Sequence, residues 1–434
     1  MKLRLTTQTG IGISNRMMAT EFAFVVLLLI SFWIDIPLLV LATFALGCCL
    51  VLFSSMEKSM YYLAFFTSFS GTFVYDGKHM FFVMVALFII RYLFTQRLNR
   101  KTVLFYLLII VYSLLFLDIN DDLNFSRLIG PILLFAIPIV ADASGRIDCK
   151  QFIHHYIFGF VLTTIIGFFV SDIPALLELF SYDLWWTEGG KELTRFFGLA
   201  FDCNFYALSN YLVLAYLLFT SEKITKGRLA LVLFLIFGGL QTLSKSYLLM
   251  LVFLAAIYIL KQRKDAKRLL ITFATAGIAT GLFIAISGAM GYNVVELTLS
   301  RFNSGSFADN TTGRFDIWGV YFDYFYHAGV KKLLFGTGFN AVATSAAHNT
   351  FIEMFFLYGI VGSGIWIGYF IHCWELFSSN TKNYTEKSPF VMISLCFGIF
   401  FLSAYTYESL WIGIAIAFMT LPYVQRKRKR WLSI

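Results

Sequence analysis

Long apolar runs separated by short polar breaks recur along almost the whole chain. Runs that qualify as membrane spans, which need about 20 apolar residues and fewer where they are untilted, lie near 19–34, 38–55, 59–75, 80–95, 102–117, 126–141, 152–173, 198–219, 229–243, 246–260, 269–288, 349–373, 388–404 and 408–423. The third and the last two carry the weakest signal, and 229–260 also reads as one long segment broken at Thr242–Ser246. The pattern predicts an all-α polytopic membrane protein with about 12–14 transmembrane helices. Residues 1–173 form an N-terminal transmembrane bundle in this reading. Residues 174–434 form a second region carrying two long outer segments, 174–197 and 289–348.

Composition agrees. Of 434 residues 59% are hydrophobic and only 14% charged, too few polar groups to cover a soluble protein of this size. Fifty phenylalanines suit lipid-facing walls and headgroup-level rings. MKLRLTTQTGIGISNRMM precedes the first run, no small-residue cleavage site follows it, and the next run begins almost at once, so an uncleaved first span is expected. Cysteines 48, 49, 149, 203, 373 and 396 have no ligand-like spacing and read as small apolar fillers.

The net charge of +9 is not a nucleic-acid signature, because its placement follows membrane sidedness. With the N-terminus in the cytoplasm, every second loop is basic, including 95–101, 221–228, 261–268 and the tail 425–430. Inner segments then hold 24 Lys and Arg and outer segments 9, with Arg91 inside a span. Both termini are therefore expected in the cytoplasm. The basic tail reads as a stop-transfer anchor on anionic lipid. Outer segments longer than about 15 residues are usually functional or disordered. The second is rich in aromatics and glycine, so the working site is expected on the outer face.

Outer cations run against positive-inside sorting and are candidates for an anion. Arg195 ends the first long outer segment, directly before FFGLAFDCNFYA, and presents a fork for phosphate or carboxylate. A snorkelling residue or a salt bridge to Glu192 is its plainer alternative. Lys245, between Ser244 and Ser246 at the hydrocarbon edge, has no acidic neighbour in sequence and calls for a partner. An ordinary turn lysine is the alternative. Arg314 opens GRFDIWGVYFDYFYHAGVKK, in which Trp318, Phe322 and Phe325 recur at helical spacing, as in an amphipathic helix whose aromatic face is sunk in lipid. His348 opens HNTFIEMFFLYGIVGSGIW. A helix N-terminus keeps an imidazole neutral and able to take a hydroxyl proton, although a lone histidine at a membrane edge is commonly structural. Gly336-Thr337-Gly338 lacks the βαβ context of a nucleotide loop and reads as a turn. Asp118, Asp121 and Asp122 read as a solvated loop needing no metal, and His154-His155, with no carboxylate partner in sequence range, as interfacial.

In order, Arg195 before FFGLAFDCNFYA, the TLSKS break, GRFDIW, FGTGFN and AHNTFIEMFFLYGIVG resemble the bacterial O-antigen ligase and O-antigen polymerase superfamily over about residues 195–365. The resemblance implies a metal-independent, inverting glycosyltransferase of the inner membrane that needs no cofactor. It implies His348 as general base and Arg195, Lys245 and Arg314 as the pyrophosphate-binding cations. Implied partners are an undecaprenyl-pyrophosphate-linked oligosaccharide, a glycan acceptor and membrane lipids, with room for a chain-length regulator. The family commonly has arginine where Lys245 stands, and lysine offsets charge without forming the planar fork. A polymerase of O-antigen or capsular polysaccharide is the leading expectation. A ligase acting on lipid A-core and a flippase for the same lipid-linked glycan stay open.

Sidedness is directly testable. A cysteine introduced at Ser304 in an otherwise cysteine-free chain is expected to react with an impermeant maleimide added to the outer face of the inner membrane. One placed in 261–268 should react only after that membrane is permeabilised. The reverse pattern would overturn the topology.

Overall fold

The computed structural model describes residues 8–75, 78–95, 100–115, 132–133, 147–188, 191–220, 225–264, scattered positions between 270 and 289, and 314–338, 347–380, 388–404 and 407–421. Most of the 126–141 window, half of the 269–288 window, the Asp118–Asp122 cluster and the 425–430 tail lie outside the described residues.

The apolar runs become helices whose ends follow local chemistry. They are α1 (Gln8–Ile34), α2 (Pro37–Phe53), α3 (Met56–Thr67), α4 (Phe81–Thr95), α5 (Arg100–Leu114), α6 (Cys149–Gly167), α7 (Pro174–Leu184), α8 (Cys203–Phe219), α9 (Lys226–Leu240), α10 (Lys245–Gln262), α11 (Arg314–His327), α12 (Val330–Phe335), α13 (Thr350–Asn380), α14 (Pro389–Phe400) and α15 (Glu408–Thr420). Proline opens α2 and α14, where its missing N–H costs nothing. Asp148, Asp202, Thr225 and Ser244 cap α6, α8, α9 and α10 by accepting from N–H groups of the first turn. Two antiparallel hairpins, Val74–Tyr75 with Lys78–His79 and Trp185–Glu188 with Lys191–Thr194, are the strands among the described residues.

Among the described residues, three helical stretches are long and apolar enough to cross a membrane: Asn15–Ile34, Lys245–Gln262 and Thr350–Glu375. Shorter apolar helices surround them. The window 59–75 is helical only to Thr67 and continues as a 3-10 turn and the first hairpin. The segment 174–197, expected on the outer side, contains α7 followed by the second hairpin. The stretch 229–260 is two helices, α9 and α10, that fold back at 241–244 to flank α8.

Helices buried all round form the centre. Every residue of α15 is buried, as is nearly all of α8. Direction follows from cross-helix contacts. Thr164 near the end of α6 meets Tyr206 near the start of α8, 3.1 Å apart. Arg228 of α9 donates to Thr220 beyond the end of α8 at 3.1 Å, and Lys261 of α10 donates to the Phe219 carbonyl at 2.5 Å. Lys226, Arg228, Lys261 and Arg263 therefore gather at one end of these helices, and the 195–204 and 241–246 segments at the other. The 17 residues of α8 separate the two ends by about 25 Å. His79 of the first hairpin packs on Phe201, ring centroids 4.4 Å apart, at the same end as Arg195.

One sequence expectation fails in the interior. His155 is not interfacial. Its Nδ1 lies 2.7 Å from the Glu21 carboxylate, both side chains are at most 1% exposed, and its ring stacks on Tyr61. The partner is 134 residues away, beyond any sequence window. Since the pair is isolated from water, His155→Ala strands a carboxylate and should cost about 3–5 kcal/mol. Replacing Glu21 and His155 together by leucine should recover most of that. Denaturant unfolding of the detergent-solubilised protein measures both, and equal losses would mean the pair carries no coupling.

Candidate functional site

Lys245 takes the first position of α10 because the chain must reverse at 241–244. Leu243 adopts a left-handed φ of 49°, Ser244 caps the new helix, and the Thr242 hydroxyl accepts from the Ser244 N–H at 3.2 Å. A cation at a helix N-terminus opposes the helix dipole, so its position is favourable only when an anion is close.

Arg195 is bound to this turn. Its Nε donates to the Thr242 carbonyl at 2.9 Å, and the Phe196 N–H donates to the Gln241 carbonyl at 3.1 Å. The Asn204 side-chain oxygen accepts from Ser244 Oγ at 2.8 Å and from an Arg195 amino group at 3.5 Å, tying Arg195 and the Lys245 turn to the first residues of α8. The approach to α8 needs Gly198, at φ 60°, where a side chain would overlap the Tyr206 ring.

The second half of the site is built on α13. Asn349 caps this helix through N–H groups of Phe351 and Ile352 at 3.0 and 3.1 Å. His348 therefore stands one residue outside the helix rather than at its first turn, and it holds a φ of 49°. A non-glycine residue in that region costs roughly 1–2 kcal/mol. Such strain persists where the surroundings over-determine it. Here Trp318 of α11 donates to the Ala347 carbonyl at 2.7 Å, and Thr350 Oγ1 bridges the Leu402 carbonyl and the Ala404 N–H.

Helix α11 carries Arg314. Its Trp318, Tyr321 and Phe325 pack against α13 and its flanks, whereas Phe315, Phe322 and Tyr326 remain exposed. The aromatic residues are thus divided between a docking face and an outward face, and Trp318 and Phe325 are not available to lipid as a single stripe with Phe322.

Gly336-Thr337-Gly338 is more than a turn. Helix α13 breaks at Gly359, with φ 61°, and the carbonyls of Phe356 and Leu357 accept from the Thr337 and Gly338 N–H groups, each at 3.0 Å. Tyr112 of α5 donates to the Phe335 and Tyr358 carbonyls at 2.9 and 2.7 Å. A side chain on Gly336 or Gly359 would collide with the other strand of this junction. Backbone freed by a break in an apolar bundle must find such partners.

Asp202 lies within electrostatic range of both Arg314 and His348. Burial and the Arg314 charge depress the His348 imidazole below its ordinary value, while the Asp202 carboxylate pulls it back up. Burial likewise lowers Arg314, opposed by Asp202. Arg195, Lys245, Arg314 and His348 are thus drawn to one end of the bundle, where the N-termini of α8, α10, α11 and α13 also gather. Cations and helix N-termini together suit a multiply charged anion, and a neutral imidazole beside it suits proton acceptance. Asp202, Asn204 and Tyr112 were not distinguished in the sequence, and Trp318 was read there only as part of a lipid-facing aromatic set. Asp202 alone had a local signal, as an acidic residue just ahead of an apolar run.

The chain matches no family model and no curated protein.

If Lys245 serves an anion and the chain transfers glycan as the resemblance implies, Lys245→Ala should lower the transfer rate by roughly 10²-fold, as removal of one preorganised donor does. Lys245→Arg should stay within about tenfold of wild type, because arginine keeps the charge. Full activity of the alanine variant at normal expression would make Lys245 a turn residue only.

Proposed function

We propose that this chain is a multi-pass protein of the bacterial inner membrane, both termini cytoplasmic, that polymerises O-antigen or capsular repeat units at the outer face. The donor glycan is carried on undecaprenyl pyrophosphate and the acceptor is the next lipid-linked unit. The observation carrying this reading is the gathering of Arg195, Lys245, Arg314 and His348 at the end of the bundle opposite Lys226, Arg228, Lys261 and Arg263. Positive-inside sorting then puts the gathered site outside, with about 12–14 crossings and the segments 174–197 and 289–348 external.

His348, neutral and half-buried, accepts the proton of an acceptor hydroxyl. The acceptor oxygen attacks the anomeric carbon from the face opposite the diphosphate, forming the new glycosidic bond with inversion. The bond from that carbon to the diphosphate oxygen breaks, and its electron pair leaves with the undecaprenyl pyrophosphate. Arg195, Lys245 and Arg314 hold the charge that develops there. The leaving group needs no acid, and the imidazolium left behind sits between that diphosphate and Asp202 until its proton escapes to water.

The decisive assay uses purified protein, lipid-linked repeat units and gel analysis of chain length, in chelator. Wild type should extend chains without a divalent metal, and Asp121→Asn with Asp122→Asn should too. His348→Ala should insert and bind donor normally but extend chains roughly 10²–10⁴-fold more slowly. Transfer only to added lipid A-core would make the protein a ligase. Movement of the donor across a vesicle bilayer without any transfer would make it a flippase, and wild-type extension by His348→Ala would overturn the proposed base.

A further inference from the structure

Beside the head of α13, between α13, α14 and α15, lies a cavity of about 200 Å³ whose walls include Met354, Trp366, Met392, Ile399, Leu410 and Phe418. Every lining side chain is apolar or aromatic except Thr350, whose hydroxyl is already taken by the Leu402 carbonyl and the Ala404 N–H. An apolar cavity of this size stays dry, because water entering it finds no polar partners. Left empty, its walls forfeit dispersion contacts, so an apolar occupant is favoured.

The shape of the cavity selects the occupant. Along α15 it runs from Leu410 to Phe418, about 12 Å of helix, close to the roughly 15 Å hydrocarbon depth of one leaflet. The end nearest the candidate site is crossed by the link from Thr350 to the 402–404 segment. There Trp318 also packs on Phe400, the residue after Ile399, with ring centroids 5.5 Å apart. Sideways the cavity is a groove: Phe351 of α13 and Cys396 of α14 line it and are themselves exposed. A chain hanging from a diphosphate among the cations would have to pass the Thr350 link, whereas a chain of the surrounding lipid enters between α13 and α14.

We propose that this groove is a binding site for one acyl chain of a bilayer phospholipid, a resident lipid that packs the open flank of the half-helix from Thr350 to Tyr358. Met354 and Tyr358 present that flank to the groove. The half-helix is otherwise fixed only at its ends, by Thr350 and by the break at Gly359, and His348 precedes it in a strained conformation. The proposal rests on the chain's place in a membrane and not on the transfer reaction.

A brominated acyl chain quenches indole fluorescence on contact, and Trp366 is only 3% exposed, shielded from bulk lipid. The full chain is placed in nanodiscs of dioleoyl phosphatidylcholine or of its dibrominated counterpart. The Trp366 component is the difference between wild type and Trp366→Phe, and it should be lost in the brominated discs. Cys396→Phe with Ile414→Phe fills the groove and should restore it. Cys396→Phe alone, at an exposed position, serves if the double variant does not fold. Adding phospholipid back to detergent-stripped protein should slow amide exchange across 351–358 in wild type and not in the filled variant. A Trp366 component equally bright in both discs, or quenching that persists in the filled variant, would overturn the site. Recovery of the fluorescence on adding undecaprenyl phosphate would give the groove to a polyprenyl chain and overturn the choice of occupant. Exchange unchanged by phospholipid would overturn the supporting role. None of these readouts uses glycan transfer, so their failure leaves the proposed reaction untouched, and failure of that reaction leaves them standing.

Discussion

The bridge that Asn204 makes between Arg195 and Ser244 is the interaction on which the rest of the site depends. A reversal between two apolar helices leaves carbonyls without intrahelical partners, and an apolar surround supplies no water to satisfy them. Arg195 meets that need at the Thr242 carbonyl while Asn204 accepts from both Arg195 and Ser244. The backbone requirement of the turn and the charge requirement of the proposed anion site are met by the same side chains. Arg195 and Lys245, fifty residues apart in sequence, are held together by a turn that would be unstable without one of them.

The junction between Gly336 and Gly359 works on the same constraint. Breaking α13 exposes carbonyls at Phe356, Leu357 and Tyr358, and the Gly-Thr-Gly segment and Tyr112 supply the donors. Glycine is required because the two backbones approach too closely for a side chain and both residues take positive φ. The short half-helix that follows His348 is consequently clamped at both ends, by Thr350 to the 402–404 segment and by the break itself. That clamping is what allows His348 to keep a strained backbone conformation at the head of the half-helix.

Charge in the remainder of the bundle is sorted by cost. Cations such as Arg195 and Lys261 collect at helix ends, where side chains reach polar surroundings or donate to backbone carbonyls. Glu21 and His155 depart from this, as a buried pair hydrogen-bonded to each other inside the bundle. Mid-bundle charge is therefore not confined to Arg91, which itself donates to the Val51 carbonyl at 3.3 Å.

By itself the sequence determined the helical class, most helix positions and the sorting of basic segments, because apolar run length and loop charge are local properties that tertiary contacts rarely override. It also singled out Arg195, Lys245, Arg314 and His348, since each is an ionisable group at the edge of an apolar run, where its cost is visible without a fold. Asp202 and Asn204 escaped notice because an acid and an amide before a helix look like ordinary capping residues. The Ser244 turn that Asn204 joins to Arg195 lies 40 residues further along the chain. The Glu21–His155 pair, the docking of Trp318 on Ala347 and the fit of Gly336 against Gly359 were likewise decided only by tertiary structure. Each is a contact whose strength comes from burial and close approach, and neither quantity exists until the helices have packed.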